Sequence, residues 1–240
     1  MTLQLFVVFH KKIYDECYAT IPQDILDKYF TFIAVNPDIP KTYTKDKYKI
    51  INEWELTHYD PLFQQKGYNE NSAIYHLKAN GLHTQYKYVG FFQYDMKFSS
   101  DVVETILNHM DEQPTCFYME AYNFRFCCVE TWNEPHIIRE LLRYYQAFFG
   151  KDMYISDKEV YPLFNTYVIP VETYERVLRF VECLHWNIDS SVIQQHFGHI
   201  GGLYERIMAL TIGGENLRMI RLNVQHDHYY KDNLSREDPR

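Results

Sequence analysis

The chain has 240 residues, 46% of them hydrophobic, which suffices for one large domain or two small ones with a buried core. Its formal charge of -8 argues against a surface that tracks nucleic-acid phosphates, and no run approaches the roughly 18 uncharged apolar residues of a membrane span. The five cysteines are odd in number and form no Cys-x-x-Cys pair, which argues against a disulfide framework or zinc knuckle and for a reducing compartment, the cytoplasm.

Residues 3–9 are a continuous apolar run, a central strand rather than a signal peptide. Residues 22–28 predict a short helix, and residues 29–35 a second buried strand closed by the turn signal of residues 36–40. Residues 40–68 are polar, aromatic and lysine-rich, an irregular insertion bordering a site. Residues 69–79 predict a helix with Ala73, Ile74 and Leu77 on one face, ended at Asn80-Gly81. A bulky strand follows over residues 86–94 and ends in an acid, Asp95.

Ser99-Ser100-Asp101 predicts the cap of a helix over residues 102–110. Residues 115–121 read as a strand. Pro135 opens a helix that Gly150 stops. Residues 166–169 form a short strand and residues 171–186 a helix. Gly201-Gly202 precedes a last helix over residues 203–212, and residues 217–224 alternate as a final strand. Residues 231–240 are a charged, frayed tail. Strands and helices alternate without an internal repeat or linker. The expectation is one α/β, Rossmann-like domain over residues 1–230, with a mixed, mostly parallel sheet flanked by helices. In such a sheet ligands bind beyond the carboxyl ends of the strands, where Asp95 falls among tyrosines.

Four segments in this order carry a family resemblance: Phe6-Val-Val-Phe-His-Lys11; Tyr68-Asn-Glu-Asn-Ser-Ala-Ile-Tyr75 followed by Tyr88-Val-Gly-Phe-Phe-Gln-Tyr-Asp95; Asn165-Thr-Tyr-Val-Ile-Pro-Val-Glu-Thr-Tyr174; and Gly201-Gly-Leu-Tyr-Glu-Arg-Ile-Met208. Together they resemble the glycosyltransferase-like proteins of bacterial capsule and lipopolysaccharide clusters, with relatives in large DNA viruses. The resemblance implies a GT-A fold that binds a nucleotide-sugar donor, UDP-linked, and a sugar or glycan acceptor. Two departures stand out. Where that family carries His-Tyr-Arg-Arg-Tyr, this chain has Gln93-Tyr-Asp-Met-Lys97, and the Asp-x-Asp metal motif of many GT-A enzymes is incomplete, with Lys97 in place of the second acid.

Glycosyl transfer must stabilise the leaving diphosphate, deprotonate the acceptor hydroxyl and exclude water. For the diphosphate, one route is a divalent cation (Mn²⁺ or Mg²⁺) held by Asp95, with His226 and His228 as further ligands. The other route is free of metal and uses Lys11, Lys97, Arg206 or helix N-terminal amides. As base for an inverting reaction the candidate is Glu205, behind the glycine pair, with Asp157 in reserve; the resemblance points to the same Glu205. It reads equally as an ordinary first-turn acid that complements the helix dipole. A retaining enzyme needs no such base.

The donor's base and ribose have Phe9, His10, Lys11, Asn36 and Asp38 as their wall, with Glu70, Asn71 and Tyr75 at helical spacing for hydroxyls, the last two on one face, and Gln93 and Tyr94 at the strand end. Plain packing accounts for His10, Asn71 and Tyr75 as readily. Two other readings stand beside the transferase: a non-catalytic carbohydrate-binding or assembly protein on the same fold, and a metal phosphoesterase built on Asp95 and the His226–His228 cluster.

Overall fold

The computed structural model describes residues 2–10, 12–35, 47–65, 68, 70–127, 135–185 and 200–226. Strand β1 (Leu3–Phe9) is buried along its whole length, which explains why its sequence runs apolar instead of alternating. Its one polar residue, Gln4, is satisfied: Nε2 donates to the Tyr29 carbonyl at 2.8 Å and to Thr31 Oγ1 at 3.1 Å. Helix α1 (Gln23–Tyr29) leads straight into β2 (Phe30–Ala34). The next segment holds the edge strand β3 (Ile50–Asn52) and the single turn α2 (Leu62–Gln65). Residues 50–65 therefore carry elements where an irregular insertion was expected. Helix α3 (Glu70–Ala79) is followed by β4 (Tyr88–Gln93) and β5 (Met96–Phe98).

Helix α4 (Val102–His109) begins where the sequence places it, but no side chain caps it. The Ser99 hydroxyl donates instead to the Asp101 carboxylate, and the Ser99 carbonyl accepts the Val102 N–H. Strands β6 (Thr115–Tyr118) and β7 (Ala121–Tyr122), helix α5 (Pro135–Phe149), strands β8 (Tyr161–Pro162) and β9 (Tyr167–Pro170), and helix α6 (Val171–His185) follow. The last elements are α7 (Ile200–Gly213), β10 (Arg218–Arg221) and β11 (Val224–His226). The single strand expected over residues 217–224 is thus two, split at Leu222-Asn223 and sent to different sheets.

The central sheet has seven strands in the order β10-β6-β9-β4-β1-β2-β3. All pairs are parallel except those made by β9, which runs antiparallel between β4 and β6. This is the expected α/β class: a mixed, mostly parallel sheet with helices on both faces. Alternate residues of each strand feed two cores. Phe6, Val8, Ile33, Val89 and Phe91 pack with residues of α3, α5, α6 and α7. Leu5, Val7, Phe9, Phe32 and Phe92 pack with α1, α4 and the two-stranded β5–β11 sheet. Each such side chain contributes about 1.5–3 kcal/mol of burial.

At the sheet's centre, Gly90 leaves room for its neighbours: a Cβ there would lie 2.7 Å from both a Leu5 and a Val168 methyl. Among the described residues no helix is long and apolar enough to cross a membrane.

Candidate active site at the carboxyl edge of the sheet

The six parallel strands end on one edge, and antiparallel β9 starts there. Three groups of side chains meet along this edge: a corner, a bridge and a helix start.

The corner is the turn between β4 and β5. It buries Asp95 to 5% exposure. Strand β11 pairs antiparallel with β5 and sets His226 opposite Met96, which brings His226 Nε2 to 3.1 Å from Asp95 Oδ2. Asp95 Oδ1 is buried and has no hydrogen-bond partner among the described residues. Such orphaned oxygens are rare, and each costs about 1–3 kcal/mol. Next to it the Tyr94 ring stacks on Tyr14 (centroids 5.7 Å apart) and meets His10 edge-on at 5.0 Å. The Tyr18 hydroxyl donates to the Tyr94 carbonyl at 3.3 Å and holds the turn from below. Burial pushes the Tyr94 phenol well up, and the charges of Asp95 and Glu70 add to the effect, so it stays a hydrogen-bond donor.

The bridge is built on Glu70, the first residue of α3. Its Oε1 accepts hydrogen bonds from Gln93 Nε2 at 3.2 Å and from Asn165 Nδ2 at 3.5 Å. Gln93 Nε2 also donates to the Phe164 carbonyl at 3.2 Å. Phe164 and Asn165 both have left-handed backbones, with φ of 63° and 48°.

The helix start is α7. Desolvation, helped by the nearby Glu70 charge and opposed by Arg206, pushes the Glu205 carboxyl up to about 7. Arg206 Nη1 donates to the Gly202 carbonyl at 2.8 Å and lies 3.6 Å from Glu205 Oε1, while its buried Nε has no partner among the described residues. Glu70 joins the three groups electrostatically, since its charge acts on both Tyr94 and Glu205.

The structure thus brings together His10, Gln93, Tyr94, Asp95, Glu205, Arg206 and His226. Asn71 and Tyr75, expected to meet a ligand's hydroxyls, are turned inward. Asn71 Nδ2 donates to the Tyr68 and Gly201 carbonyls (3.2 and 3.0 Å) and ties the starts of α3 and α7 together. Tyr75 is 5% exposed, inside a cluster with Phe63, Tyr68 and Tyr204. Lys97 is exposed because β5 alternates and gives the core side to Met96 and Phe98. Asp157 is exposed in the loop ahead of β8 and is not part of the cluster. The glycine pair lies inside the first turn of α7, not before it, so Glu205 belongs to the second turn. Lys11, Asn36, Asp38, His228 and the tail fall outside the described residues.

Asn165 is the site residue that the sequence does not single out for catalysis, donor or metal; the one signal for it is its place at the head of the third segment quoted above. Beyond Phe164 the edge continues into a cavity of about 180 Å³ lined by Tyr118, Glu120, Ala121, Tyr122, Glu159 and Arg221. Tyr122 stacks on Phe126 at 4.2 Å and meets Phe164 edge-on at 5.9 Å.

No protein-family model matches the chain, and no curated protein matches it in sequence. Solved structures do. The chain is similar to the apo structure of the bifunctional glycosyltransferase WbbM, with a TM-score of 0.54 and 14% identity over 93% of this chain and 45% of that one. It therefore spans less than half the length of that protein. It is also similar to the apo form of mouse xyloside xylosyltransferase 1, with a TM-score of 0.40 and 13% identity over 90% of this chain and 82% of that one. The mixed α/β fold is therefore one this chain shares with a glycosyltransferase structure.

Proposed function

We propose that the protein transfers a sugar from a nucleotide-sugar donor, UDP-linked, to a sugar or glycan acceptor with inversion of configuration. The observation that carries the proposal is Glu205: a carboxyl only 12% exposed and pushed up to about 7, at the ligand-binding edge of a glycosyltransferase fold. A general base works best with a pKa near the operating pH. In the reaction the acceptor hydroxyl oxygen attacks the anomeric carbon, and the bond from that carbon to the diphosphate oxygen breaks. The electron pair leaves with the nucleoside diphosphate, and the hydroxyl proton goes to Glu205. Arg206, 3.6 Å away, keeps the carboxyl ionisable in spite of its burial.

Asp95 and His226 fit a divalent cation. One carboxylate oxygen is orphaned, an imidazole nitrogen lies beside the other, and this mixed donor set suits Mn²⁺ better than Mg²⁺. Such a cation, when bound, offsets the charge that grows on the leaving diphosphate. Without one, Asp95 repels the diphosphate, and Lys97 faces away on the solvent side of its strand. The cavity beyond Phe164, lined by Tyr118 and Tyr122, offers the acceptor aromatic surface of the kind sugar rings prefer.

The test is a thermal-shift panel of UDP, GDP, CDP and their sugar conjugates with and without Mn²⁺. A ligand at a hundred times its Kd stabilises by about 2.7 kcal/mol. We expect a Mn²⁺-dependent shift with a UDP-sugar that is lost in Asp95→Ala; no shift with any nucleotide at millimolar concentration rejects the proposal. The incomplete acidic motif at the corner favours one rival, a non-catalytic carbohydrate binder on the same fold. It predicts binding of glycans with no nucleotide response.

A further inference from the structure

Asn165 combines three costs at one residue. Its backbone is left-handed (φ 48°), and so is that of the bulky residue before it, Phe164 (φ 63°). Single asparagines visit this region; an aromatic residue there is a true outlier. The side chain is 3% exposed. Its Nδ2 is turned to Glu70 Oε1 at 3.5 Å, which leaves Oδ1 buried with no partner among the described residues. Strain and an unsatisfied acceptor coincide where the surroundings over-determine a functional geometry. The helix α3–β4 contact supplies that constraint, because Gln93 Nε2 grips both Glu70 and the Phe164 carbonyl.

Its place on the edge says what the orphan oxygen awaits. In the glycosyl-transfer reading, on which this inference rests, the diphosphate lies at Asp95 and the base is Glu205. The atoms between those two points belong to the sugar being transferred. The side chains that link the two groups are Glu70, Gln93 and Asn165: Glu70 bonds to the other two and its charge reaches both Tyr94 at the corner and Glu205.

We propose that Asn165 selects the donor sugar: its Oδ1 accepts a hydrogen bond from a ring hydroxyl of the transferred pyranose, and Glu70 holds the amide in the orientation that makes this possible. A site that offers a buried acceptor discriminates against a ligand that does not supply the matching hydroxyl, because the acceptor then stays unpaired.

The experiment is isothermal titration of the full chain with UDP, GDP, UDP-glucose, UDP-galactose, UDP-N-acetylglucosamine, GDP-mannose and GDP-fucose, in Mn²⁺, for the wild type and Asn165→Gly. Glycine adopts the left-handed backbone without strain and removes the carboxamide, so a purely structural role for Asn165 predicts no loss at all. We expect the wild type to prefer one conjugate over its epimers. In Asn165→Gly that preference shrinks about tenfold, while affinity for the bare nucleotide stays within about twofold. Asn165→Ala, which also lacks the amide, serves if the glycine variant does not fold. A preference unchanged in both variants, or a wild type that binds all conjugates equally, overturns the role of Asn165 and leaves the transferase proposal standing. Failure of every nucleotide and conjugate to bind the wild type overturns both.

Discussion

Two of the carboxylate–imidazole pairs among the described residues are built in opposite ways. Glu53 and His76 are 0% and 2% exposed, with Glu53 Oε1 2.7 Å from His76 Nδ1. The other ring nitrogen, Nε2, accepts the Asp60 backbone N–H at 2.9 Å, which puts the ring hydrogen on Nδ1, facing the glutamate. The rings of Tyr59 and Phe63 close over it. This pair is complete, and it pins the segment before α3 onto the helix. Asp95 and His226 also touch, at 3.1 Å, but the imidazole is 17% exposed and one carboxylate oxygen is left over. The same two residue types make a structural pin where every atom has a partner and a candidate ligand site where one does not.

The sharpest way to break this comparison is to cut both pairs. Glu53→Ala strands a buried ring N–H and should cost roughly 3–5 kcal/mol in urea unfolding, the usual penalty for halving a buried pair. Asp95→Asn removes a charge from a corner that was already unsatisfied and should change stability by less than about 1 kcal/mol, yet remove Mn²⁺-dependent nucleotide binding. A reversal of the two stability effects would show that the open pair is the structural one.

Glu205 extends the contrast to pH. Its folded pKa, about 7, lies above the unfolded value of 4.5. The folded state therefore holds more protons between those values, and this group's share of stability falls as pH rises through that window and then levels off. With about 1.4 kcal/mol per pKa unit, the loss reaches about 3 kcal/mol above pH 7. Glu205→Gln removes this dependence: unfolding free energies measured from pH 5 to 8 should show the variant gaining on the wild type by up to that amount, while transfer activity falls by a factor of about 10² or more. In the wild type, activity should rise with pH through about 7 as the base ionises. A stability difference flat across this range would place Glu205 in a watery environment and remove it from the role of base.

How much of this could be read from the sequence follows the range of each signal. Leu3–Phe9, Tyr88–Gln93 and the helices with one apolar face announce themselves because periodicity is local. The antiparallel β9 does not, since a four-residue apolar run carries no information about its partner or direction. The split of residues 217–224 is hidden for the same reason: Arg218–Arg221 pairs with β6 and Val224–His226 with β5, and only pairing separates them.

At the site, Asp95 is legible as an acid that ends an apolar strand, and Glu205 chiefly through the family resemblance. Asn71 and Tyr75 show the converse failure. Helical spacing places them correctly on one face, but that face looks into the core, and a polar type does not say so. The left-handed Phe164–Asn165 turn is invisible beforehand, because nothing about a phenylalanine suggests positive φ.

The smallest expected effect concerns the cation that the sequence set closest to Asp95. Lys97 is two residues away, but strand alternation sends Met96 and Phe98 into the core and Lys97 to solvent. Arg206 is far along the chain, yet it lies beside Glu205, with a buried Nε that has no partner among the described residues. If position on the edge decides function, Lys97→Ala should weaken nucleotide binding by no more than about twofold at low salt, and by less at 0.15 M, where exposed charges are screened beyond about 8 Å. A tenfold loss that persists in salt would mean that the lysine folds back onto the diphosphate. The metal-free route would then gain a cation at the corner.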